Sequence, residues 1–212
     1  MYHPRMDSVT GFVLAGGKST RMGTDKALLE LAGRPLIEHM LELARSVCPQ
    51  VCVVGEPGKF SRLAPVIHDL YGGQGPLAGI HAALTHSETN LNLILGVDLP
   101  FLEADFLSYL ISQSRTSGSV VTVPVADGFA QTLCAVYRRE FAELAGRALR
   151  AGRNKVDAIF PQTSVRQLFD EELAKAGFGP RMFRNVNTPQ DWQEAQQALR
   201  LVAGAKPLGG RQ

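Results

Sequence analysis

Val13-Leu14-Ala15-Gly16-Gly17-Lys18-Ser19-Thr20-Arg21-Met22-Gly23, followed by Asp25-Lys26, is the stretch that decides the reading of this sequence. A short apolar run over residues 9–15 has the length and bounds of a buried strand. It gives way at once to two glycines, small hydroxyl residues and three cations, Lys18, Arg21 and Lys26. Glycine lets backbone approach a ligand closely, and successive N–H groups in such a turn form a concave anion site. The flanking cations would neutralise a polyphosphate. The stretch therefore predicts a triphosphate-binding loop, and the rest of the chain should supply a base pocket, a metal and an acceptor.

Gly17-Lys18-Ser19 invites comparison with the end of a Walker A loop, which requires a glycine five positions before its second glycine. That position is Phe12, and Gly11 falls one residue too early. The intervening residues also have strand character, so the P-loop reading fails. A plain glycine-rich turn would explain the two glycines but not the set of cations.

The composition bounds the remaining choices. The chain has 212 residues, 45% hydrophobic and 20% charged, as in an ordinary globular protein. A net charge of +2 gives no case for nucleic acid or an anionic membrane. Residues 1–8 contain His3, Arg5 and Asp7 and lack the form of a signal peptide, and no apolar run reaches the ~18 residues that a membrane span needs. Cys48, Cys52 and Cys134 are expected to be free thiols in a reducing compartment, with the cytoplasm as the default.

Periodicity then lays out an alternation. Helices are expected over residues 36–47, with Pro35 as first helical residue, and over 77–85, 103–113, 139–150 and 188–202. Strands are expected over 51–54, 66–69, 90–97, 119–125, 133–137 and 164–169. Such alternation implies a mostly parallel sheet covered on both faces. No repeat or linker divides the chain, which gives one domain over residues 1–203 and a frayed tail over 204–212.

In an open α/β sheet, ligands bind beyond the carboxyl ends of the strands. The glycine loop leaves one such end and Asp98 terminates another strand, so a phosphate cradle and a carboxylate share one edge. Nucleotidyl transfer needs this pairing, because an anionic acceptor must approach an anionic α-phosphorus and charge neutralisation does most of the work. On spacing alone Asp98 could equally be a turn carboxylate capping the next helix, and Asp69 a turn aspartate. Asn185 and Asn187 flank one residue and should point to the same side of an extended segment, for a metal or for helix entry. Arg153 and Lys155, beside Gly152, form the best remaining basic cluster, suited to an acceptor phosphate or to a helix C-terminus. The thiols lack a neighbouring histidine, His81 and His86 are five apart and off one helical face, and no Gly-x-Ser-x-Gly elbow appears.

Leu14-Ala15-Gly16-Gly17, Arg21-Met22-Gly23 and Asp25-Lys26 resemble the signature of nucleotidyltransferases that activate sugars and cofactors. With Gly75-Pro76-Leu77-Ala78-Gly79, Asp98-Leu99-Pro100 and Asn185-Val186-Asn187-Thr188-Pro189, in that order, the chain most resembles the molybdenum cofactor guanylyltransferases. The resemblance implies a single-domain, Rossmann-like α/β nucleotidyltransferase fold. It also implies Mg²⁺ as cofactor, GTP as donor, molybdopterin as acceptor, and association with other cofactor-biosynthesis proteins or apoenzymes. By the same resemblance Asp98 binds magnesium, Lys26 meets the nucleotide phosphates, Leu14, Ala15, Gly16 and Asp69 contact the nucleotide, and the Gly75 loop lies near the base. The segment with Asn187 closes the active site, where its amide oxygen could join the metal. Arg21 and Gly17 are expected at the phosphates and the nucleotide from their place in the glycine loop. Val54 departs from the Asn that the family's guanylyltransferases often carry at the end of the second strand, which leaves a molybdopterin cytidylyltransferase open. A sugar-1-phosphate nucleotidyltransferase would run the same chemistry on a different acceptor. A non-catalytic carrier of the cofactor would bind the nucleotide without turnover.

Overall fold

The computed structural model describes residues 8–16, 25–69, 71–186 and 188–204. Among the described residues ten strands occur in chain order: β1 (Val9–Leu14), β2 (Glu30–Leu31), β3 (Arg34–Pro35), β4 (Gln50–Val54), β5 (Val66–Ile67), β6 (Leu91–Gly96), β7 (Val121–Ala126), β8 (Phe129–Ala130), β9 (Cys134–Arg138) and β10 (Val165–Phe169). The helices are α1 (Leu36–Arg45), α2 (Pro57–Phe60), α3 (Pro76–His86), α4 (Ala104–Ser117), α5 (Phe141–Arg150), α6 (Asp170–Lys175) and α7 (Pro189–Gly204). Short 3₁₀ turns cover Lys26–Leu28, Asp157–Gln162 and Pro180–Phe183.

The main sheet has the order β10-β7-β9-β6-β1-β4-β5, with β8 also paired to β7. Every strand on that path runs the same way except β9, which is antiparallel to both β6 and β7. The sheet is therefore mostly parallel, as the alternation of elements implies. The reversal comes from a hairpin that periodicity alone overlooks. Asp127 (φ 51°) and Gly128 (φ 78°) turn β7 back into β8, and an Asp-Gly pair with both residues at positive φ is the turn a tight hairpin requires. Pro35 also differs from expectation: it ends a two-residue strand and precedes α1 instead of opening it.

All six residues of β1 and all six of β6 are buried, because central strands with both faces covered by helices read as near-continuous apolar runs. One face carries α1 and α4, with Val13, Ile37, Met40, Leu93 and Phe106 in its core. The other carries α3 and α5 over Phe12, Ile80, Ile94, Tyr137 and Phe141. At the amino ends of the central strands a buried polar cluster is satisfied internally: Thr89 donates to Thr10 Oγ1 at 2.9 Å, and Asn92 donates to the Tyr137 carbonyl at 3.3 Å. The last helix starts as its sequence predicts. The Thr188 hydroxyl accepts from the Asp191 N–H at 3.1 Å, and Asp191 accepts from the Thr188 N–H at 2.9 Å. Residues 205–212, in the expected tail, lie outside the described residues, and among the described residues no helix is long and apolar enough to cross a membrane.

The thiols belong to this packing. Cys48 and Cys134 are buried and Cys52 is half-buried, all unbridged. Burial pushes the Cys48 thiol up to about 12, against a smaller opposing effect of the Arg115 charge, and raises Cys134 and Cys52 as well. A neutral thiol favoured by the fold stabilises it below the ordinary value of 9.0, and that contribution disappears as pH rises toward 12. A thiol reagent on the native protein should modify Cys52 first, with Cys48 and Cys134 reacting at the rate of unfolding. Prompt labelling of all three in the folded protein would contradict this packing.

Candidate active site

The sheet order reverses at β1. From β1 the chain passes through α1 to β4 on one side, and from β5 it passes through α3 to β6 on the other. Beyond the carboxyl end of β1 is thus the crevice where a doubly wound sheet binds ligands. The register brings the predicted site together there. The Leu14 carbonyl accepts from the Val97 N–H at 3.3 Å, and the Ala15 N–H donates to the Val54 carbonyl at 3.0 Å. Leu14 and Ala15 are buried, while Gly16 is exposed at the mouth of the loop. Gly17, Lys18, Arg21 and Asn187 lie outside the described residues.

Downstream of the loop, Lys26 Nζ stands 3.2 Å from Asp98 Oδ2, with both side chains largely covered. The neighbouring Asp25 fixes that approach. Its Oδ1 accepts from the Ala27 N–H at 3.2 Å, capping the 3₁₀ turn, and its Oδ2 meets Lys59 Nζ of α2 at 2.8 Å. Lys59 also pairs with Glu56, and the two carboxylates raise its pKa, led by the Asp25 hydrogen bond. Asp25 is thus a structural clamp and Lys26 the residue it presents.

Asp98 is seated by two contacts that the sequence does not announce. An ideal Cβ at Gly96 would lie 2.7 Å from Asp98 Oδ1 and 3.2 Å from Leu133 Cβ, so only glycine leaves the carboxylate its place. The Asp98 carbonyl accepts from the Val186 N–H at 3.0 Å, which holds the Asn185-Val186 segment against the strand tip. The sequence does carry one signal for Gly96, an isolated glycine near a strand end. Val186 carries none. Asp98 lies ahead of α4 without capping it, since no side chain caps that helix.

Asp69, after β5 on the same sheet edge, displays the turn role: its Oδ1 accepts from the Tyr71 N–H at 2.8 Å. Gly75 precedes α3 with φ 77° and ψ −167°, a conformation open to glycine and strained for other residues. One turn on, Gly79 packs so closely that a Cβ would meet Leu14 Cδ2 at 3.0 Å. Val54 is 3% exposed and its side chain joins the core below α3, so this position presents no group to a base. Arg153 and Lys155 are exposed beyond the C-terminal end of α5, where Lys155 Nζ lies 3.3 Å from Asp157. Among the described residues no three His, Cys, Asp or Glu side chains gather into a metal cage.

Comparison with known proteins agrees with this geometry. Residues 11–165 match the MobA-like NTP transferase domain. A probable molybdenum cofactor guanylyltransferase of Carboxydothermus hydrogenoformans is 34% identical over 197 residues, covering 92% of this chain and 99% of that protein. The molybdenum cofactor guanylyltransferase of Desulfosudis oleivorans is 31% identical over 198 residues, with 92% and 98% covered. The crystal structure of molybdopterin-guanine dinucleotide biosynthesis protein A from Archaeoglobus fulgidus superposes with a TM-score of 0.80 at 30% identity, covering 91% of this chain and 99% of that one. A CTP-bound CMP:2-keto-3-deoxy-manno-octonic acid synthetase, 12% identical with a TM-score of 0.69, shares the fold alone. Matched over residues 11–165 and 34% identical to a relative over 92% of its length, the chain belongs to the MobA-like NTP transferase family and is similar to the molybdenum cofactor guanylyltransferases.

Proposed function

We propose that the protein transfers GMP from GTP to the terminal phosphate of molybdopterin, forming the guanine dinucleotide cofactor and releasing pyrophosphate, in the cytoplasm. The observation that carries this reading is the 3.2 Å approach of Lys26 to Asp98, which joins the phosphate loop to the carboxylate of the next strand. The names of the relatives support the choice of donor and acceptor.

The chemistry needs no covalent enzyme intermediate. An oxygen of the acceptor phosphate attacks the α-phosphorus of GTP, and the bond from that phosphorus to the α–β bridging oxygen breaks. The electron pair leaves with pyrophosphate. Lys26, and Arg21 from outside the described residues, would neutralise the β- and γ-phosphates as charge builds on the leaving group. The backbone of Leu14, Ala15 and Gly16 borders the nucleotide, with the Gly75 turn beside the base, and Arg153 and Lys155 serve the acceptor phosphate.

The residues present fit Mg²⁺. Asp98 offers a carboxylate at a strand tip, its Oδ1 lodged over the bare Gly96 backbone and its Oδ2 balanced by Lys26. Mg²⁺ is commonly held by one or two carboxylates together with substrate phosphate oxygens and waters. Asp98 would hold it, joined by Asn187, whose neighbour Val186 is bound to the Asp98 backbone. When bound, the ion supplies charge neutralisation and Lewis-acid polarisation at the phosphates.

Pyrophosphate release measured with GTP, CTP, ATP and UTP, each with and without molybdopterin, tests the whole reading. Release should require both GTP and molybdopterin, and a preference for CTP or a need for a sugar phosphate would reassign the substrates. Asp98→Asn should lower kcat/KM at least ~100-fold, the scale of losing a principal electrostatic group, with an unchanged far-UV spectrum. Gly96→Ala should also reduce kcat, because its methyl group displaces the Asp98 carboxylate while Lys26 and Asp98 both remain. Near-normal turnover in Asp98→Asn would remove Asp98 from the chemistry, and near-normal turnover in Gly96→Ala would show that the carboxylate does not depend on the bare Gly96 backbone.

A further inference from the structure

Contacts on the α3 side of the crevice converge on His81, which plays no part in the chemistry above. Tyr71 opens the turn that runs to Gly75. Its N–H donates to Asp69 Oδ1 at 2.8 Å, and its carbonyl accepts from the Gln74 N–H at 3.1 Å. Its ring stands edge-on to the His81 imidazole, with centroids 5.4 Å apart and planes at 80°. On its other side His81 meets α5. An ideal Cβ at Gly146 would lie 3.0 Å from His81 Nε2 and 3.4 Å from Arg150 Nη1, so α5 makes room for the imidazole by omitting a side chain. Arg150 ends α5, Gly152 turns the chain at φ 71°, and the Arg153 N–H returns to the Ala148 carbonyl at 2.9 Å. Arg153 and Lys155 leave from that helix end.

One side chain thus meets Tyr71, which opens the turn that carries Gly75, and Gly146 of α5, one helical turn before Arg150 and the exit to the Arg153–Lys155 segment. We propose that His81 is a positioning residue that couples the donor and acceptor sites, through Tyr71 on one side and the last turn of α5 on the other. The proposal rests on the assignment of those two segments to GTP and to the acceptor phosphate. Ordering of the Gly75 turn by the donor is transmitted to the end of α5, so each substrate tightens the binding of the other by the same factor.

The coupling depends on a neutral imidazole. Burial, then the Arg150 charge, lowers the His81 pKa from its ordinary 6.5, with Asp69 opposing. Among the described residues the charged groups that bear on it are Arg150 from α5 and Asp69 from the turn after β5, with the Tyr71 ring against its edge. A histidine kept neutral by the fold stabilises its seat above the ordinary value, and the contribution is lost as pH falls through the lowered one. Protonation would set a cation against Arg150 and loosen both contacts.

The test is the Kd of molybdopterin with and without a GTP analogue carrying a methylene between the α- and β-phosphorus, in the presence of Mg²⁺. In the wild type the analogue should tighten molybdopterin binding at least about fivefold, the lower end of ordinary coupling between sites, and the factor should shrink at acid pH. His81→Ala should bring the factor to one while each substrate still binds alone. Gly146→Ala, which crowds the imidazole from the α5 side, should reduce the factor without touching His81. Independent binding in the wild type, or an unchanged factor in both variants, would overturn the coupling. A wild type that turns over GTP yet shows no coupling refutes this inference alone, whereas a wild type that releases no pyrophosphate refutes the functional reading and this inference with it.

Discussion

The Lys26–Asp98 pair is the constraint around which the crevice is arranged. Two residues 72 positions apart, one opening the 3₁₀ turn over Lys26–Leu28 and one just past the end of β6, are held 3.2 Å from each other. Neither is free to relax into bulk water, since their side chains are only 15% and 24% exposed. In the absence of a triphosphate each neutralises the other, which keeps a partly covered cation and a partly covered anion tolerable. On the proposed reading a metal–triphosphate would take up the same two charges, the ammonium toward phosphate oxygens and the carboxylate toward the metal, so substrate binding would replace one set of charge contacts with another.

That arrangement rests on backbone more than on side chains. The hydrogen bond from Val97 to Leu14 sets the height of the Asp98 tip relative to the glycine loop, and the bond from Ala15 to Val54 sets the loop against β4. Around these, glycines set the approach distances. Gly96 leaves space for the Asp98 carboxylate, and Gly79 lets α3 settle on Leu14. Asp25 holds the turn that aims Lys26, with Lys59 of α2 holding Asp25 in turn. A shift in any of these would move charge by fractions of an ångström, the scale on which electrostatic positioning acts.

The sequence made the central strands, α3, α4, α5 and the start of α7 legible because their signals are strong. Continuous apolar runs mark β1 and β6, and a Thr–Asp cap marks α7. The reversal of β9 was hidden because strand periodicity carries no direction. Only the Asp127-Gly128 turn revealed it, and its signal is two residues long. Lys26 and Asp98 were legible through motif resemblance, and the structure gives their juxtaposition. The clamp from Asp25 to Lys59 and the seat that Val186 provides were not legible, since a salt bridge spanning 34 residues and a backbone bond spanning 88 leave no local pattern. Asp69 shows the opposite case, a position whose turn role is printed in local contacts while its relation to a ligand is not.

The position where the family often carries Asn has a structural reading in this chain: the side chain at 54 points into the core between β4 and α3, and Val fills that space well. On the proposed placement of the nucleotide, what would face the base is main chain, at Gly16 and in the turn from Tyr71 to Gly75. That turn has exposed glycines at 72, 73 and 75, with φ positive at the latter two. Discrimination built on main-chain donors and acceptors reads the hydrogen-bonding edge of a base through the shape of the turn. On that reading the Asp69 bond to Tyr71, which fixes the shape of the turn, would belong to substrate choice as much as to folding.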